Sequence, residues 1–157
     1  MRIGQGFDVH PFAAGRPLVL GGVRFEGETG LAGHSDGDAL THAVIDALLG
    51  AAALGDIGGH FPSSDEGLRG ANSVDLLRQV REWVETAGYR IVNVDATVVG
   101  ERPRVAPRAA EIRGLLAEAL GLEPGSVSVK ATTTDRLGAI GRGEGIAALA
   151  VALLEEA

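Results

Sequence analysis

From Asp38 to Leu54 almost every residue is apolar, with alanine and leucine dominating the run. A helix in that stretch has no polar face to turn toward water, so it belongs inside the assembly, covered on all sides. A chain of 157 residues can do this as one domain, because a domain of this size buries roughly two-thirds of its extended-chain surface. The polar exceptions Asp38, His42 and Asp46 are spaced four apart, which places them on one face of the helix.

The remaining segments arrange themselves around that helix. Residues 1–10 read as a glycine-bearing extended stretch, and Leu18 to Phe25, broken by Gly21-Gly22, as a hairpin or a bulged strand pair. Gly55 to Gly70 is a loop rich in glycine and of a length that usually signals function. Asn72 caps a second helix through Ala87, amphipathic by its Val74, Leu77, Val80 and Val84. Tyr89 to Val99 alternates as a strand, Pro107 to Leu120 is a third helix ended by Gly121, and Ser126 to Thr133 is another strand. Gly145 to Leu154 is read as an apolar strand, with a helix as the alternative because alanine is frequent there. No repeat or low-complexity linker interrupts the chain, so residues 1–157 are expected to form a single α+β domain. Its mixed sheet should carry the helices on one face.

Composition removes several classes of function. With 45% apolar and 22% charged residues, neither disorder nor a coiled coil is expected. No cysteine is present, so a metal must take histidine and carboxylate ligands. That absence also suits a cytoplasmic protein. The net charge is −7, the only lysine is Lys130, and basic residues form no run. Nucleic-acid binding is therefore not expected. The first residues form no apolar signal core, and no stretch of ~18 apolar residues escapes a charge, so a soluble chain without membrane contact is expected.

Three of the four histidines lie within the first 42 residues. Asp8 and His10, one residue apart in an extended stretch, project from the same face. With His42 they would make a three-ligand site with a fourth, open position, as catalytic zinc sites have. Asp46, one turn beyond His42, would then orient that imidazole through its second nitrogen. An incidental D-x-H beside an ordinary buried histidine is the plainer alternative. Gly33-His34-Ser35-Asp36-Gly37-Asp38 reads as a turn and helix cap, and also as an anion site whose amides would set His34 and Ser35 beside a phosphate. Lys130-Ala131-Thr132-Thr133-Thr134-Asp135 ends a strand. Its threonines are strand formers or, with the carboxylate, a phosphate and Mg²⁺ site. Gly141-Arg142-Gly143-Glu144-Gly145 has the wrong spacing for a dinucleotide fingerprint, and no P-loop occurs.

Taken together, G-F-D-V-H (6–10), H-S-D-G-D (34–38), D-A-L-L-G-A-A-A-L-G-D-I-G (46–58), F-P (61–62), N-V-D (93–95), K-A-T-T-T (130–134) and G-R-G-E-G-I-A (141–147) resemble one family. It is the 2-C-methyl-D-erythritol 2,4-cyclodiphosphate synthase family of the non-mevalonate isoprenoid pathway. The resemblance implies a homotrimer with active sites between subunits. It also implies zinc, or another divalent transition metal, on Asp8, His10 and His42. His34 and Thr133 match positions that steady the phosphates during reaction, with Val9 and Ser35 nearby. Asp56, Ile57 and Gly58 match ribose and erythritol contacts, and Phe61, Pro62, Ser63, Ser64 and Asp65 a substrate loop. Gly100, Glu101, Arg102, Pro103, Arg104, Val105, Ala106 and Thr132 match a cytidine pocket. Thr134 and Ala139 fall among the matched substrate positions. Asp135 matches the holder of a second cation, Mg²⁺ or Mn²⁺, on the diphosphate. Arg142 lines the site and, with Glu144, faces an axial cavity for an isoprenoid diphosphate. Gln5, Arg104, Asp135 and Ala139 depart from the usual His, Lys, Glu and larger apolar residue, which bears on affinity and leaves the triad intact. The implied reaction is cyclisation of 4-diphosphocytidyl-2-C-methyl-D-erythritol 2-phosphate with release of CMP.

Overall fold

Two glycines determine how closely the layers of this protein approach. In the computed structural model, which describes residues 1–157, strand β1 (Arg2–Ala13) lies directly beneath helix α1 (Ala39–Ala52). A Cβ on Gly4 would stand 1.9 Å from the Ala47 carbonyl oxygen, and one on Gly6 would stand 1.8 Å from that of Ala43. No side chain fits at either position, so helix backbone rests on strand backbone. The helix is buried along nearly its whole length, as its apolar composition predicts.

Asp38 starts α1 as its N-cap, but it faces away from the ligand cluster. Its carboxylate accepts from the Thr41 amide and hydroxyl, at 3.0 and 2.8 Å, and from the Gly21 and Gly22 amides, both at 2.8 Å. Those glycines form the turn between β2 (Leu18–Leu20) and β3 (Val23–Phe25), with φ of 59° and 78°. Two successive positive φ angles are the requirement of a type I′ hairpin turn, so the hairpin reading holds over the bulged one. A short strand β4 (Gly30–Leu31), not foreseen in the sequence, pairs with the end of β1.

The gap between α1 and the next long helix holds a four-residue helix, α2 (Ile57–His60). Helix α3 (Ser73–Thr86) follows, with Asn72 accepting from the Val74 amide at 2.9 Å and Val74, Leu77, Val80 and Val84 inward. Strand β5 (Tyr89–Val99) leads through a 3₁₀ turn at Ala106–Arg108 into α4 (Ala109–Leu120). The helix starts two residues later than the pattern suggests because Pro107 sits in the tighter turn. Strand β6 (Val127–Thr132), the short helix α5 (Gly138–Gly141) and strand β7 (Gly145–Glu156) complete the order.

The main sheet runs β4-β1-β7-β5-β6, antiparallel except for the β5–β6 pair, and so is mixed as expected. The alanine-rich β7 is a strand because it pairs on both sides, with β1 and β5. Its buried Ala148, Ala150 and Ala152 are small enough to lie under α1. Pairing here overrides alanine's helix preference. The other face of the sheet keeps Ile3, Phe7, Val9 and Val151 exposed, Ile3 at 73%. No helix is long and apolar enough to cross a membrane.

Candidate metal centre and substrate cleft

Along β1 the residues facing α1 alternate as Gly4, Gly6, Asp8 and His10. The glycines let α1 descend; where they stop, side chains resume and meet the helix at its first turn. There Asp8 Oδ2 lies 2.7 Å from His10 Nε2 and 3.0 Å from His42 Nδ1, and the two nitrogens are 3.2 Å apart. One oxygen and two imidazole nitrogens thus converge on a single point. Ligand atoms around a tetrahedral ion with bonds of about 2.0–2.1 Å stand roughly 3.3 Å apart, so an ion fits with slight opening. The donor set suits zinc and its transition-metal neighbours.

The outward nitrogens are also fixed. His10 Nδ1 donates to the Ala32 carbonyl at 2.5 Å, which leaves Nε2 to face Asp8 and His42. His42 Nε2 meets the hydroxyls of Ser73 at 2.8 Å and Ser35 at 3.1 Å. Asp46, expected to orient this imidazole, does not: its carboxylate accepts from the Ile57 amide at 2.8 Å and anchors α2. Ser73 takes that place. It stands 31 residues from His42 on another helix, and nothing in the local spacing signals it.

Burial alone would push the Asp8 carboxyl upward, but hydrogen bonds and charge from His10 and His42 outweigh it and hold Asp8 well below the usual carboxylate range. For His10 burial acts downward, and the Asp8 carboxylate overrides it, so the imidazole is raised above 6.5. Each partner favours the charged form of the other, as an acid and an imidazole in contact do.

The triad forms one wall of a cleft of about 200 Å³. The cleft is lined as well by His34 and Ser35, from the turn before α1, and by Ile57, Gly58, Phe61 and Ser63, from the loop that contains α2. Arg16 holds the turn by donating to the Gly33 and Ser35 carbonyls, each at 2.5 Å. His34 Nε2 lies 2.6 Å from the Asp65 carbonyl and ties the turn to the loop. Asp56 caps α2 through the Gly59 amide at 2.8 Å. The only tryptophan, Trp83, packs its ring against Phe61 and His60, with centroids 5.4 and 4.7 Å apart.

The other expected site residues do not line this cleft. Gly100 donates to the Thr132 carbonyl, and Glu101 accepts from the amides of Thr134 and Arg136 at 3.3 and 3.1 Å. Thr133 Oγ accepts from the Asp135 amide at 3.2 Å in a turn where Asp135 and Arg136 have φ of 52° and 63°. Such backbone in non-glycine residues is costly and collects at functional sites. Thr132, Thr133, Asp135 and Ala139 are exposed, whereas Pro103 and Val105 turn into the protein. Arg102 stacks over Phe12, and Arg142 pairs with Glu144 at 2.6 Å. The chain therefore carries two separate groups of candidate residues.

Residues 1–155 match the YgbB family. A 2-C-methyl-D-erythritol 2,4-cyclodiphosphate synthase from Laribacter hongkongensis is 59% identical over 155 residues, covering 99% of this chain and 96% of the relative. The enzyme of the same name from Synechococcus sp. (strain JA-2-3B'a(2-13)) is 56% identical over 156 residues, covering 99% of each. Among solved structures, the bifunctional IspDF from Campylobacter jejuni superimposes with a TM-score of 0.96 at 42% identity, over 99% of this chain and 42% of that one. The Plasmodium falciparum IspF complex with CDP gives 0.87 at 34% identity, over 99% and 96%.

Proposed function

The chain belongs to the YgbB family, and from that membership we propose that it is a 2-C-methyl-D-erythritol 2,4-cyclodiphosphate synthase of isoprenoid biosynthesis. It converts 4-diphosphocytidyl-2-C-methyl-D-erythritol 2-phosphate to the cyclic diphosphate and CMP. The observation that carries the reading is the convergence of Asp8, His10 and His42 on one wall of a cleft faced by His34 and Ser35.

The chemistry asks little of the protein in proton transfer. A phosphate monoester has a second pKa of about 6, so the attacking 2-phosphate is already an anion at neutral pH. The departing CMP is itself a phosphate. What must be overcome is repulsion between anions in a chain of net charge −7. A zinc or similar ion on the triad supplies Lewis-acid polarisation and charge neutralisation when bound. His34 and Ser35 hold phosphate oxygens beside it, and the loop from Asp56 to Asp65 folds over the erythritol. Fixing both ends of one molecule can supply on the order of 7–11 kcal/mol in favourable intramolecular cases.

The second group of residues, Gly100 to Ala106 and Thr132 to Asp135, would receive the cytidine diphosphate end from a neighbouring subunit, with Thr133 steadying phosphate. Asp135 would share a Mg²⁺ or Mn²⁺ ion with the diphosphate. Two features support a homotrimer with sites between subunits. One is the separation of the two groups within one chain. The other is the exposed apolar sheet face of Ile3, Phe7, Val9 and Val151. Arg142 and Glu144 would present the axial site for an isoprenoid diphosphate. A cytoplasmic location fits a biosynthetic enzyme of this composition.

The test is phosphorus NMR of the substrate with enzyme stripped of metal and then reloaded. Cyclic diphosphate and CMP should form only after reloading. Acyclic phosphate would mark a hydrolase, and full turnover without metal would falsify the mechanism.

A further inference from the structure

We infer that Ser73, pinned by Asp36, is a positioning residue that fixes the tautomer of His42 and so selects Nδ1 as its metal-facing atom. The inference rests on the reading of Asp8, His10 and His42 as a metal site and goes beyond it to what sets one ligand's identity.

Nδ1 of His42 is the nitrogen that faces Asp8 and His10, at 3.0 and 3.2 Å. To offer a lone pair there, the ring must carry its proton on Nε2. His42 is 7% exposed, so that N–H needs a protein acceptor, because a buried donor left unpaired loses its bond to water with nothing in exchange. Two hydroxyls are in reach, those of Ser73 and Ser35. Toward any one partner a hydroxyl either donates its single hydrogen or accepts. One that donated to Nε2 would hold the opposite tautomer and turn an N–H toward the metal.

Ser73 has no such choice. Its single hydroxyl hydrogen goes to Asp36 Oδ1 at 2.5 Å. Asp36 is in turn held by the Ser73 amide on Oδ2 at 2.9 Å and by the Asp38 amide on Oδ1 at 3.1 Å. With its hydrogen committed, Ser73 Oγ can only accept from Nε2. Ser73 is fully buried, so water cannot take over either role. Ser35 is not pinned in this way: its Oγ meets only the Gly37 amide, at 3.5 Å, besides His42. The other imidazole is fixed by equivalent logic, because His10 Nδ1 faces a carbonyl, which never donates. Both histidines thus have an obligate acceptor behind them, one a peptide oxygen and one a hydroxyl locked by a carboxylate.

Groups behind a metal ligand typically change affinity by about 10–100-fold when removed. Ser73→Ala should therefore weaken zinc binding to the full-length apoprotein by about 10–100-fold, measured by competition with a chromophoric chelator. Ser35→Ala should do less, and Ser73→Thr should restore most of the loss. In the zinc-loaded wild type, long-range proton–nitrogen NMR of ¹⁵N-histidine should show His42 protonated at Nε2 and bound through Nδ1; this measurement needs no variant to fold. Unchanged affinity in Ser73→Ala, a larger loss in Ser35→Ala, or an unprotonated Nε2 in the wild type overturns the inference alone. If wild type binds no zinc, or His42→Ala binds it equally well, the metal site falls and this inference with it.

Discussion

Asp8 and His10 exchange charge stabilisation in the metal-free protein, and an ion must compete with that exchange. Because Asp8 raises His10 above 6.5 against the effect of burial, the imidazole holds its extra proton to higher pH than a free one does, and below that raised value a metal has to displace it. In the metal-free fold the sign is that of any group with a raised value: its stabilisation is complete below 6.5 and is lost as pH rises through the raised value. Metal binding reverses the trend. Zinc affinity should fall about tenfold per pH unit below His10's raised value and level off above it. Asp8, held low, adds no dependence near neutrality. Zinc titrations across about pH 5.5–8 check the slope; a flat profile contradicts it. His42→Ala should abolish turnover and most zinc retention, read by metal analysis after dialysis. The triad was visible in the sequence because period two on a strand and a lone histidine on an apolar helix both mark direction. Ser73 and the true partner of Asp46 were not visible. Their contacts join elements far apart in the chain, and a single hydroxyl carries no periodic signal.

Gly4 and Gly6 make β1 a bed for α1, and the height of that bed sets where His42 arrives. Gly6→Ala would drive a methyl into the Ala43 carbonyl, 1.8 Å away. Overpacking of this kind costs about 1–3 kcal/mol or more. The variant should melt several degrees lower and bind zinc more weakly, although no ligand is changed. Calorimetry beside a zinc titration checks both effects. The cleft loop has its own anchor in Trp83. Aromatic contacts of this type contribute about 0.5–1.5 kcal/mol each, so Trp83→Ala should raise KM for the diphosphocytidyl substrate several-fold with kcat changed less. Trp83→Phe should recover most of the loss. Helices α1 and α3 were legible from apolar spacing and caps. The short helices α2 and α5 were not, since four residues hold too little pattern to separate a helical turn from loop. The strand β7 was ambiguous for a physical reason: alanine favours helix locally, and only pairing with both neighbours overrules it.

For the whole molecule, the two groups of candidate residues and the open apolar sheet face belong to one expectation: separate subunits are inactive. Val151→Glu, placed on that face and away from every ligand, should reduce the particle toward the single-chain mass of 16.1 kDa. Light scattering would report the mass, and turnover should disappear with it. A monomer that still cyclises substrate would end the shared-site view. The α+β class and the helices on one face were readable from element order. The pairing order β4-β1-β7-β5-β6 was not, because strand neighbours are chosen by long-range packing. That order bears on synthesis at the ribosome. Strand β7 lies between β1 and β5, so a nascent chain that stops at residue 144 carries all three candidate ligands but lacks the strand that pairs with β1 alongside Asp8 and His10. The sheet beneath the triad is completed only when β7 inserts between two strands that were made before it.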